Sequence, residues 1–102
     1  MILWYDPDGQ PIDDHIEWAR LFFGTDRHVA LDHVGDVEIS TVWLGIDYGF
    51  GLAPAPLIYE TMIFGGPYDQ EQWRWSNRDA ALAGHDQALA LARDAARQET
   101  RG

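Results

Sequence analysis

The sequence predicts an α+β fold: a three- to four-stranded antiparallel meander with a short N-terminal helix and a longer C-terminal helix packed on it. Three observations carry this. Two β-rich runs, residues 29–34 and 37–47, are separated only by Gly35-Asp36, a dipeptide suited to a two-residue hairpin. A third β-rich run, residues 57–64, follows a loop in which Gly49, Gly51, Pro54 and Pro56 exclude regular structure. An Ala-rich stretch from residue 77 to about 96 places Leu82, Leu89, Ala92 and Ala96 on one helical stripe.

Taken in order, residues 2–5 are a short apolar run ended by Asp6-Pro7-Asp8-Gly9, and read as a first strand. Asp13 or Asp14 then caps a helix whose apolar positions are Ile16, Ala19, Leu21, Phe22 and Phe23, with Gly24 as its stop. The Gly35-Asp36 turn pairs Val34 with Val37, His33 with Glu38, Leu31 with Ser40 and Val29 with Val42. After Gly65-Gly66-Pro67, the segment Gln72-Trp73-Arg74-Trp75 is an extended piece with both Trp on one side. Ser76 and Asp79 have the spacing of a capping box for the last helix. Residues 1–97 form one domain, and residues 98–102 fray.

Alternation along the strands sorts the sheet faces. Val29, Leu31, Val42, Leu44 and Ile46, joined by Leu57, Tyr59, Thr61 and Ile63, make the expected core face, with the C-terminal helix upon it. The opposite face takes Val37, Ile39, Thr41, Trp43 and Asp47, with Ile58, Glu60, Met62 and Phe64. That second face is too apolar for a wet surface, yet it carries two carboxylates.

Composition narrows the function classes. The 102 residues carry 17 acidic and seven basic side chains, for a formal net charge of −10. Every basic residue is Arg; Lys and Cys are absent. Disulfide scaffolds and Cys-ligated zinc modules are therefore excluded. Generic binding to nucleic acid or to an anionic membrane is disfavoured, since phosphate contacts need cations. A hydrophobic content of 46% is too high for a disordered chain. No apolar run reaches a membrane span and no signal peptide is evident, so the expected location is cytoplasmic.

Two constellations hold chemistry. Asp47 and Glu60 share the mixed face in paired strands, with Tyr48 beside them. Such carboxylates could share a proton or bind a divalent cation, or Glu60 could simply accept from an Arg. The aromatic residues Trp43, Trp73 and Trp75, with Arg74 between the last two, either roof the domain's own mixed face or meet a partner. The histidines form no ligand pair: His33 faces Glu38 across the hairpin, and His85 lies on the helical stripe. No nucleophile elbow, dinucleotide fingerprint or phosphate loop is present.

The segments Ser40-Thr41-Val42-Trp43-Leu44-Gly45-Ile46-Asp47, Glu60-Thr61-Met62-Ile63-Phe64-Gly65-Gly66 and Ala81-Leu82-Ala83-Gly84-His85 carry a resemblance. Together they resemble a group of small uncharacterised actinobacteriophage and actinobacterial proteins, over residues 36–91. Tyr48 stands where that group has His after the Asp, which weakens a metal or acid–base role there. The resemblance implies a phage origin, with expression in the infected or lysogenic host cell, and no activity.

The function these observations favour is a small acidic phage accessory protein, a non-enzymatic module that binds a host or viral protein through Trp43, Asp47, Glu60, Met62, Trp73, Arg74 and Trp75. No cofactor or metal is implied by it. Self-association as a homo-oligomer is a further route, through the mixed face or an edge strand. Two alternatives stand beside it: a small ligand- or metal-binding protein or enzyme using Asp47, Tyr48 and Glu60, and a DNA mimic.

Overall fold

The hairpin sets the frame. In the computed structural model, which describes residues 4–100, β1 (His28–Val34) and β2 (Val37–Trp43) pair antiparallel across Gly35-Asp36. Val34 faces Val37, His33 faces Glu38 and Leu31 faces Ser40, as the turn dictates. Beyond Ala30 the register shifts, and Val42 meets His28 instead of Val29. A bulge inserts one extra residue there, which two-residue turn geometry cannot reveal.

β3 (Tyr59–Phe64) pairs with β2, and β4 (Gln72–Trp75) pairs with β3, all antiparallel. The sheet order β1-β2-β3-β4 is the meander read from the sequence, with four strands. α1 (His15–Gly24) precedes the sheet, and α2 (Arg78–Thr100) follows it and packs across all four strands. No described helix is long and apolar enough to cross a membrane.

The strand faces correct the sequence assignment. β2 pairs Ile39 with Ile63, Thr41 with Thr61 and Trp43 with Tyr59, so these six share one face. All six are buried. α2 covers that face, not the one bearing Val42. The cause lies at Gly45. Its φ of +81° and its close approach to the Phe22 ring turn the chain out of the strand, so β2 ends at Trp43. Leu44 and Ile46 therefore lie beyond β2, where the Leu44 N–H donates to the Ile58 carbonyl and Ile46 bridges to Trp4, and their hydrophobicity says nothing about which way β2 faces.

The covered layer has two clusters. One joins Ile39 and Ile63 to Ala88, Leu89 and Ala92 of α2. The other joins Trp43, Ile58 and Tyr59 to Ala81. α2 thus presents mostly small residues, and the bulk comes from the sheet. Gly84 shows how closely they fit: a Cβ there would lie 2.1 Å from Cζ2 of Trp75. Leu82, expected on the buried stripe, is exposed; His85, placed on the same stripe, is buried there, and Ala88 joins it. The helix is capped by Asn77, whose Oδ1 accepts from the Ala80 N–H, rather than by Ser76. It continues to Thr100, past its expected end near residue 96.

α1 is capped by Asp14, whose carboxylate accepts from the Ile16 N–H at 2.9 Å. Its contact stripe is narrower than the sequence suggests. Trp18, Leu21 and Phe22 pack toward Trp43, whereas Ile16 and Phe23 are 64% and 81% exposed. Positions i, i+3 and i+4 suffice because this helix meets the body along one edge only. Of the expected first strand, Ile2 and Leu3 lie outside the described residues. Trp4 and Tyr5 make single bridges to Ile46 and Pro11.

Candidate functional site

The face of the sheet away from α2 holds Leu31, Glu38, Ser40, Val42, Glu60, Met62, Phe64 and Arg74, by the alternation that buries Ile39 and Ile63 on the other side. Leu31 and Phe64 are 44% and 41% exposed, and Val42 and Met62 are half-buried. No described helix lies over them. Charge pairs flank this apolar strip. His33 Nε2 lies 3.3 Å from Glu38 Oε1, as the hairpin register predicts. At the other side, Arg74 Nε donates to Glu60 Oε2 at 3.0 Å across the β3–β4 pair. The Arg74 guanidinium also stands 4.9 Å from the centre of the Tyr48 ring. Tyr48, Glu60 and Arg74 are therefore one cluster.

Asp47 does not join it. Its Oδ1 accepts the N–H groups of Gly49 and Leu57 at 2.8 and 2.9 Å, and Oδ2 accepts that of Gly51 at 3.0 Å. The side chain is buried and closes the loop that links β2 to β3. Burial by itself would push its carboxyl up. The N–H donors of Leu57, Gly51, Gly49 and Phe50 outweigh that effect and hold it below the ordinary value of 3.8. Three backbone N–H groups of its own loop engage this carboxylate, and Glu60 is paired with Arg74 instead. Among the described residues, no group of three His, Asp or Glu is placed to hold a metal ion.

The three tryptophans sit on the covered side. Trp43 is buried, its Nε1–H donating to the carbonyl of Tyr5 at 3.1 Å. Trp73 and Trp75 do share one side of β4, and that side faces α2: Trp73 packs on the Ile39 cluster and Trp75 on the Trp43 cluster. They roof the domain's own core. Tyr59 is likewise buried and donates its hydroxyl to the Pro7 carbonyl at 2.7 Å. Burial raises its phenol above the ordinary 10.0; Arg78 opposes that shift, and Asp6 and Asp8 reinforce it.

A polar chain crosses the buried layer, and single residue types gave no sign of it. His85 of α2 is 2% exposed. Its Nε2 lies 2.8 Å from Asp32 Oδ2 and its Nδ1 lies 2.8 Å from Thr41 Oγ1. Thr41 Oγ1 is 2.6 Å from Thr61 Oγ1, which accepts from Trp75 Nε1 at 3.0 Å. One direction satisfies every member. Trp75 can only donate and an ionised Asp32 can only accept, so protons point from Trp75 through Thr61 and Thr41 to Nδ1, and Nε2–H points to Asp32. Carboxylate, imidazole and hydroxyl stand in the order of a nucleophilic triad. Thr41, however, is 0% exposed, so no substrate carbon reaches its oxygen. The chain ties α2 to β1, β2, β3 and β4. The only sequence signal for it was three polar residues at inward-facing register positions, legible once the faces are assigned correctly.

No protein-family model, curated protein or solved structure matches this chain.

Proposed function

We propose that this chain is a non-enzymatic protein-binding module that takes its partner on the open sheet face. The observation that supports this reading is the apolar strip of Leu31, Val42, Met62 and Phe64, which no described helix covers, although α2 covers the opposite face of the same sheet. An apolar centre rimmed by charged pairs is the common anatomy of a protein interface. The net charge of −10 directs such a surface toward a basic partner and disfavours a second copy of itself. The Tyr48–Arg74–Glu60 cluster and Met62 are the rim and centre contacts we assign; Trp43, Trp73, Trp75 and Asp47 act by holding the fold. The accessory role in a phage-infected host follows from the sequence resemblance and belongs to the same reading.

The test compares wild type with Leu31→Lys and Phe64→Lys. A partner captured by cross-linking from host or phage lysate should bind the variants at least tenfold more weakly, roughly 1.4 kcal/mol, with thermal stability kept. Equal affinity for the variants removes the open face from the function. A concentration-dependent dimer that the same substitutions dissociate would make the partner a second copy.

A further inference from the structure

We propose that the hairpin end of the layer between sheet and α2 is a binding cavity for a small organic ammonium ion with an apolar body. The layer is filled unevenly. At one end Gly84 of α2 faces Trp75, whose indole takes up all the room a side chain would need. At the other end α2 again offers small residues, Ala92, Ala95 and Ala96, but the sheet answers only with Val34, Val37 and Ile63. The result is an open cavity of about 430 Å³, within the size range of small-molecule sites.

One wall is held by the backbone of the Gly65-Gly66 loop. Gly65 and Gly66 adopt φ of +95° and +70°, and Asp69 Oδ1 accepts the Gly65 N–H at 2.6 Å, clamping the loop that forms one side. A Cβ on Gly66 would come within 2.9 Å of Val37 Cγ2, so the loop lies tight against the strand. Aliphatic residues make up most of the lining, together with Pro67 and Tyr68.

The charge among the lining residues selects the ligand. Asp36 and Glu99 are exposed and line the cavity, and among the described residues no basic one lines it. Glu99 lies in the last turn of α2, where the helix carbonyls add partial negative charge. Arg97, in the same turn, is paired with Asp94. An aliphatic pocket whose lining includes two exposed acidic residues fits an apolar body carrying an amine, and it rejects the corresponding acid. This site uses the covered side of the sheet, so it stands or falls independently of partner binding on the open face.

Phenethylammonium, 3-phenylpropanoate and 2-phenylethanol are matched probes of the three charge states. Titrated into the ¹³C,¹⁵N-labelled protein, the ammonium should shift the methyl resonances of Val37, Ile63 and Ala95 in a saturable way at millimolar concentration, and the acid should not. The exposed pair Asp36→Asn with Glu99→Gln should weaken the ammonium by about three- to tenfold, and added salt should weaken it further. Ala95→Trp should abolish binding by filling the space. An alcohol that binds as tightly as the ammonium overturns the cation preference. Absence of shifts at these methyls, or shifts confined elsewhere, overturns the site.

Discussion

His85 Nδ1 lies 2.8 Å from Thr41 Oγ1 inside the buried layer between α2 and the sheet. Because Asp32 takes the other ring nitrogen, that contact makes His85 an acceptor toward the strand. The ¹⁵N spectrum at neutral pH should show a bare Nδ1 and a protonated Nε2. Thr41→Val keeps the shape but leaves Nδ1 and the Thr61 hydroxyl without their partner, at a cost of about 1–3 kcal/mol in denaturant unfolding. A protonated Nδ1, or an unchanged unfolding midpoint, contradicts the direction assigned to the chain.

Gly84→Ala would ordinarily stabilise a helix interior by about 0.5–1 kcal/mol. Here the new methyl meets Trp75, so the variant should instead lose about 1–3 kcal/mol through overpacking. Trp75→Phe in the same chain should recover part of that loss, giving a non-additive double-mutant cycle. If Gly84→Ala is stabilising on its own, the close fit is wrong.

Asp47 makes stability depend on acid. Its carboxyl sits below 3.8 in the fold, so the stability it lends is complete above 3.8 and is lost as pH falls through the lower folded value. Asp47→Ala should cost about 1.5–3 kcal/mol at neutral pH, since three N–H groups lose a charged acceptor. It should also flatten the stability profile in acid. Asp47→Asn keeps one acceptor oxygen but sets its amide against a backbone N–H, and should fall between the two. An unaltered acid profile in the Ala variant would assign the pH dependence to other carboxylates.

Tyr59 acts at the alkaline end. Its folded phenol is raised above 10.0, so the stability it contributes is present below 10.0 and disappears as pH climbs through the folded value. Followed by tyrosinate absorbance, one of the four tyrosines should titrate late and together with unfolding. Tyr59→Phe should remove that phase, leaving the Pro7 carbonyl without its donor. Four tyrosines titrating early, with the fold intact, would place the phenol in water.

The order of elements, the hairpin register as far as Ala30 and the capping of the first helix were legible from turn chemistry and alternation. These are local rules, and Gly35-Asp36 or Asp14 obeys them without help from the rest of the chain. The faces were not legible, because they depended on where β2 ends. Gly45 decides that through its contact with Phe22, a residue far off in sequence. The same inversion set Asp47 beside Glu60 and turned Trp43 outward. Glu60 with Arg74 follows from strand pairing once the registers are known. The His85 chain joins residues from five elements, so its geometry exists only in the assembled layer.

The strand order has a consequence for the rate of assembly. Each strand meets its sequence neighbour, so the sheet closes short loops one after another, a topology of low contact order that forms quickly. The 44–58 segment is its longest closure within the sheet, and Asp47 gathers both ends of it by holding Gly49 and Leu57 together. α2 follows the sheet along the chain. During synthesis the sheet can therefore complete itself while Ile39, Trp43, Tyr59 and Ile63 still face water, and this bare apolar surface stays sticky until residues 78–100 arrive to cover it.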